Sequence, residues 1–174
     1  MATVRTLLVL RHGKSAYPEG VADFDRPLAP RGKRDAVAAG QWLRDQALAP
    51  DLVICSAAER ARQTWDLISD QLGVASPGND VVRYDPRLYS ADVEDLIGII
   101  REAPAGVGIL ALVGHNPVSA DLVLTLTAQR QPGFPTSAIA AIEFRGGWAM
   151  VRPRSGQLTI YWTPKGGTVT LAPS

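Results

Sequence analysis

Cysteine is almost absent from these 174 residues; Cys55 stands alone. An intrachain disulfide is therefore excluded, and a lone thiol fits a reducing compartment. Cys55 closes an apolar run, so it reads as a small buried residue. Histidine is nearly as scarce. Two copies, with no cysteine near either, make no persuasive metal-ligand set. Net charge is lacking too, since 18 basic against 17 acidic residues give +1. That balance argues against nucleic acid or an anionic membrane as partner. No apolar run approaches the ~20 residues a bilayer span needs. Met1 to Leu10 lacks the long apolar core of a secretory signal and runs into a charged motif, so a cytoplasmic protein is expected. Internal repeats and low-complexity segments are missing as well. What remains is an ordinary globular composition, 46% hydrophobic and 20% charged. Its length fits a single domain over 1–174.

The apolar runs are short and alternate with helical spacings. Thr6 to Leu10 reads as a central strand. After a proline-broken stretch over 14–30, Ala36, Val37, Leu43 and Leu48 mark one face of a helix over 31–47. Leu52 to Cys55 is a second strand. Ala58 to Leu72 is a second helix, closed by Gly73. A short strand over 81–84, a helix over 92–102 and a strand over 107–113 follow. Next comes a helix over 117–126, with proline in its first turn. Strands over 138–144 and 158–162 are expected to pair as a hairpin or at an edge. The Pro/Gly-rich segment 163–174 is expected to be a loose tail. Trp42, Trp65, Trp148 and Trp162 are assigned to the core by default. The alternation predicts an α/β three-layer sandwich with a mainly parallel central sheet flanked by helices. Ligands bind such sheets outside the carboxyl ends of the strands.

Both histidines fall at such ends. His12 is in Arg11-His12-Gly13, and His115 is in Gly114-His115-Asn116-Pro117. A neutral imidazole is a good nucleophile when its other nitrogen is fixed by a hydrogen bond. An arginine fork beside it matches the oxygens of a phosphoryl group. Gly13 allows close backbone approach and offers an N–H. Ser56 reads as the N-cap of the second helix, and Arg60 on the first turn can reach an anion held there. A second imidazole can stabilise charge in the transition state. Asn116 caps the following helix or orients its loop, with capping favoured. Arg62 and Glu59 read as a solvated helix face.

Arg11-His12-Gly13, then Ser56-x-x-x-Arg60-x-x-Gln63-Thr64, then Gly114-His115, in this order and spacing, resemble the histidine phosphatase superfamily, which includes the cofactor-dependent phosphoglycerate mutases. The resemblance runs from Leu7 to about Phe144. Within it, the short length, Asp25-Arg26-Pro27-Leu28 and Thr136-Ser137-Ala138-Ile139 look like the compact branch of bacterial phosphohistidine phosphatases, the SixA type. The resemblance implies a phosphoglycerate mutase-like fold and a phosphatase with no metal or cofactor. It implies that His12 is transiently phosphorylated and that Arg11, Arg60 and His115 complete the phosphate pocket. Arg26 would border that pocket, and Gly13 and Ser137 are further candidate substrate contacts.

Two departures bear on the substrate. Lys14 follows Arg-His-Gly where many relatives carry Glu or Gln. No carboxylic acid is evident to protonate a leaving alkoxide. Asn116 stands where one branch has Asp, and the segment from Arg87 to Glu94 has no obvious match to another branch's Glu. Candidates for a donor are Asp25 or its neighbour in the Asp23-Phe24-Asp25 loop, Tyr89, Asp92 and Glu94. Asp92 reads more simply as a helix cap. Phosphohistidine needs less acid help, because a ring protonated on its other nitrogen leaves as neutral imidazole. The expected partner is therefore a phosphoprotein carrying phosphohistidine. A small phosphorylated metabolite is the alternative substrate. A non-catalytic phosphoprotein-binding module is disfavoured, because all four pocket residues are present.

Overall fold

Leu7, Leu8, Val9 and Leu10 are almost wholly shielded from solvent on both faces, as a central strand requires. They lie in β1 (Val4–Arg11) of a computed structural model that describes residues 3–74 and 81–171. Side chains alternate across a strand. Leu8 and Leu10 therefore pack on one face with α1 (Pro30–Asp45) and α2 (Glu59–Leu72), through Ala39, Leu43, Trp65 and Ile68. Leu7 and Val9 pack on the other with α3 (Val93–Arg101) and α4 (Val118–Thr127), through Leu96, Ile100, Leu122 and Leu126. The three layers are those expected. None of the helices among the described residues is long and apolar enough to cross a membrane.

The sheet itself differs from expectation. One half contains β3 (Val82–Asp85), β2 (Leu52–Ser56), β4 (Ile109–Gly114) and β1, in that spatial order and joined by parallel ladders. The other half continues from β1 to β5 (Ile139–Arg145), β6 (Gly156–Thr163) and β7 (Gly167–Thr170), all by antiparallel ladders. The seven-stranded sheet is mixed, not mainly parallel. Parallel neighbours need helical crossovers, and the connections after β5 contain no long helix. The strands over 138–144 and 158–162 do pair, as expected, but β7 rather than β6 forms the edge.

That edge corrects the reading of 163–174 as a loose tail. Residues 167–170 pair with β6, and the Trp42 indole donates to Thr168 Oγ1 at 2.9 Å. Partners elsewhere in the fold supply this order, which local composition does not reveal. Residues 172–174 lie outside the described residues. All four tryptophans are buried, and Trp42 stacks on Trp162. Cys55 is buried, and desolvation pushes its thiol pKa well up, as a packing residue would show.

Candidate active site

The β1–β4 ladder sets Arg11 opposite Gly114, and the His12 N–H donates to Gly114 O at 3.0 Å. The two histidines that follow these strand ends therefore emerge side by side. Their ring centroids are 5.1 Å apart, and each residue is 8% exposed. β2 ends one strand further over, at Ser56. β5 runs the other way and contributes from its amino end. There Ser137 donates its N–H to Arg11 O and His12 O at 3.1 and 3.2 Å, in a left-handed conformation with φ 63°. The site is thus built from three carboxyl ends and one amino end.

The His12 ring is fixed by its Nδ1, which lies 2.7 Å from Gly13 O. A carbonyl only accepts, so Nδ1 carries the hydrogen and Nε2 keeps its lone pair. Arg60, in the first turn of α2, directs its Nε to that Nε2 at 3.3 Å. Burial holds His12 far below its usual 6.5, at about 3; the charges of His115, Arg60 and Arg11 add to this, and the Gly13 bond opposes it. His12 is accordingly neutral at physiological pH.

His115 Nε2 lies 2.7 Å from Ser56 Oγ, and Ser56 Oγ in turn accepts the Ala58 N–H at 3.3 Å. A hydroxyl has two lone pairs, so this bond runs in either direction and does not by itself fix the tautomer of His115; the other ring nitrogen is Nδ1. This Nδ1 is buried without a protein partner. Burial lowers the His115 pKa to about 4, assisted by Arg60 and Arg11 and opposed by Asp23. Ser56 is therefore not the N-cap of α2, as the sequence reading had it. The helix starts at Glu59 after Ala58, and the serine orients a histidine instead.

Arg11 donates through Nη1 to Phe134 O, and its Nε is buried without a partner. Ser137 Oγ shares that condition, so unpaired hydrogen-bonding capacity collects in residues adjoining the two rings. Asn116 does not cap α4; it donates to Phe134 O at 2.9 Å and so holds the loop that Arg11 also grips. Gly13 is closely packed, as expected, but its N–H is not free for an anion. It donates to Thr64 Oγ1 at 2.9 Å.

Arg26 makes no hydrogen bond to either ring among the described residues. It donates to Ser15 Oγ and Ala16 O, stacks on Tyr17 at 3.5 Å, and binds Asp23 Oδ1 at 2.7 Å. Sequence reasoning named Asp23 only as part of its loop and missed its place. Asp23 receives Arg60 twice, at its carbonyl (2.6 Å) and at Oδ2 (3.1 Å), and accepts the Tyr89 hydroxyl at Oδ2 (2.7 Å). The Tyr89 bond, then those from Arg26 and Arg60, hold its pKa down at about 2. Proximity to two arginines in the fold was the missing signal.

The four acid candidates separate clearly. Asp92 caps α3 in a reciprocal box with Asp95. Glu94 lines a different groove, with Arg87 and Ser90. Asp25 is exposed in the loop beside Arg26, and its side chain accepts no hydrogen bond from the described residues. Tyr89 alone reaches the histidines, edge-on to the His115 ring at 5.7 Å, and its proton is directed to Asp23. A neutral imidazole whose Nε2 keeps its lone pair, two arginines and a second imidazole, brought together at the strand ends, can bind a tetrahedral oxyanion and attack its centre.

Residues 7–105, which include His12 and Arg60, match the model of the histidine phosphatase superfamily, branch 1. An uncharacterized protein of Mycobacterium tuberculosis is 42% identical over 166 residues, spanning 90% of this chain and 100% of its own. The phosphohistidine phosphatase SixA of Escherichia coli strain K12 is 28% identical over 141 residues, 78% of this chain and 83% of its own. A solved structure of the protein histidine phosphatase SixA complexed with tungstate superposes with a TM-score of 0.78 at 25% identity, over 91% of this chain and 97% of that one. The chain belongs to the histidine phosphatase superfamily, on its SixA-like side, and is a hydrolytic phosphatase.

Proposed function

We propose that this phosphatase acts through a covalent phosphohistidine at His12 and that its substrate is phosphohistidine on a protein. The observation that carries the reading is the state of the carboxylate bonded to Arg60. Asp23 accepts from Arg26, Arg60 and Tyr89 and is ionised, so it has no proton to give a leaving alkoxide. The SixA names of the relatives support the same substrate class, and the tungstate complex of one supports a pocket for a tetrahedral oxyanion.

In this reading His12 Nε2 attacks phosphorus in line as the bond to the leaving nitrogen breaks, and that nitrogen keeps the electron pair. Arg11, Arg60 and His115, through its unpartnered Nδ1, hold the equatorial oxygens, and the unpartnered Ser137 Oγ is a further candidate contact. Water then attacks the phosphorus on His12. The imidazole departs with its Nδ1–H still on Gly13 O, and both water hydrogens leave with the phosphate.

Three phosphodonors test the substrate class. A phosphohistidine peptide should be cleaved fastest. p-Nitrophenyl phosphate should be cleaved measurably, because p-nitrophenolate leaves without a proton. A phosphoserine peptide, which needs an acid, should resist. Efficient phosphoserine cleavage would mean that a general acid operates, and the substrate would then be sought among small phosphorylated metabolites.

The buried rings also set a pH dependence of stability. Their folded-state pKa values, about 3 and about 4, lie below the ordinary 6.5. Between those limits the unfolded chain binds more protons than the folded one, so stability rises with pH there. It is lost as pH falls from 6.5 towards 3. Urea midpoints at pH 7, 5 and 4 should show a shallower loss in a His12→Asn/His115→Asn double variant than in the wild type. Equal slopes would assign the loss to other groups.

A further inference from the structure

Phosphoryl transfer between two imidazoles makes the same demand on each ring. The nitrogen bonded to phosphorus leaves easily only if the far nitrogen carries a hydrogen, and that hydrogen needs an acceptor. On the enzyme's side the acceptor is visible, because Gly13 O holds His12 Nδ1–H at 2.7 Å. For an in-line displacement the leaving ring must stand across the phosphoryl group from His12, towards solvent. Among the described residues, the carboxylate bonded to the arginine that faces His12 is Asp23. One guanidinium joins the two, with Arg60 Nε on His12 Nε2 at 3.3 Å and Arg60 Nη2 on Asp23 Oδ2 at 3.1 Å.

We propose that Asp23 is the specificity-determining residue of the site, and that its carboxylate accepts the far N–H of the leaving imidazole. The proposal rests on the phosphohistidine reading above. Three donors occupy the carboxylate: Arg26 on Oδ1, and Arg60 and Tyr89 on Oδ2. Two oxygens offer about four acceptor positions, so one is open before substrate arrives. A second opens when the phosphoryl group takes Arg60 from Asp23. Half of the Asp23 side chain is exposed, at 54%, so a substrate ring can reach it. Phe24 and Tyr89, packed edge to face with centroids 5.0 Å apart, place aromatic surface on the same rim.

The proton balance is simple. The substrate ring enters with phosphorus on one nitrogen and hydrogen on the other, and so carries a positive charge. Cleavage returns the bonding pair to the first nitrogen, and the ring leaves neutral with its hydrogen in place. A carboxylate beside that hydrogen keeps the reactive, protonated ring populated to higher pH. The charged and titratable groups facing Asp23 are Arg60 from α2, Arg26 from its own loop, Tyr89 from the turn before α3, and His115 after β4. Esters have no such hydrogen and gain nothing from the contact.

The test is a ratio. kcat/KM is measured on a phosphohistidine peptide and on p-nitrophenyl phosphate across pH, for wild type, Asp23→Asn and Asp23→Glu. The phosphohistidine-to-ester ratio should fall about 10- to 100-fold in Asp23→Asn, the size of one hydrogen bond to a charged group. The alkaline limb on phosphohistidine should move to lower pH in Asp23→Asn, and Asp23→Glu, which keeps a carboxylate, should recover part of both effects. A ratio unchanged within about twofold, with both rates reduced alike, would show that Asp23 only positions Arg60 and would overturn the assignment while leaving the substrate reading intact. Failure of the wild type to cleave phosphohistidine would overturn both.

Discussion

Replacing His12 by Ala is expected to abolish turnover of every phosphodonor, lowering kcat by about 10⁴-fold or more, as loss of a covalent nucleophile does elsewhere. No other neutral base stands in its place. His115 is the neighbouring imidazole, but its Nε2 is engaged with Ser56 Oγ at 2.7 Å. The variant should also give no acid-labile, base-stable phosphoenzyme with a radiolabelled phosphodonor, whereas the wild type should. Folding should survive, since the ring sits at the edge of the core and its loss removes a buried polar group. Phosphoenzyme formation in His12→Ala would move the nucleophile to another residue and sink the mechanism.

Gly32→Ala is expected to damage stability and catalysis together, although residue 32 is in α1 and carries no chemistry. A Cβ there would run into Lys14 O and would lie 2.8 Å from Lys14 N. Gly13 is held just as closely, since a Cβ on it would lie 2.8 Å from Gly32 O. These are backbone atoms, which cannot swing away as a long side chain can. The segment after β1 is pinned from its other sides as well. Gly13 N–H is tied to Thr64 Oγ1, Ser137 N–H to His12 O, and Ala29 N–H to Lys14 O. Overpacking of this kind costs about 1–3 kcal/mol. A shift of roughly 1 Å in His12 would cost about 10²-fold in rate. Gly98→Ala, in α3 with nothing within 4 Å of its added Cβ, is the matched control and should be neutral or slightly stabilising. Urea unfolding and steady-state kinetics on both variants decide the point; wild-type behaviour of Gly32→Ala would refute the close contact.

Several elements were legible because their signals are local. The run Leu7 to Leu10 is apolar at consecutive positions, which suits only a strand covered on both faces. Gly73 closes α2 with φ 68°, as a residue without Cβ should. Asp92 caps α3, the simpler of the two readings offered for it. Signals that depend on distant partners failed. Ser56 looks like a cap in sequence because it precedes a helix, yet His115, 59 positions away, takes its hydroxyl. The direction of β5 is not written in its residues; it follows from how the chain returns after α4.

The sequence by itself determined the layered α/β plan, the strand ends at which His12 and His115 stand, and the family to which their motifs belong. These follow from short-range patterns of apolar residues, glycine and proline, and from motif order. Only the tertiary structure decided which nitrogen of His12 is free, which donors remain unpaired around it, and that Asp23 rather than Asp25, Asp92 or Glu94 sits on Arg60. Those properties belong to contacts between residues dozens of positions apart. Hydrogen-bond direction and burial, which set them, exist only once the sheet has brought its strand ends together.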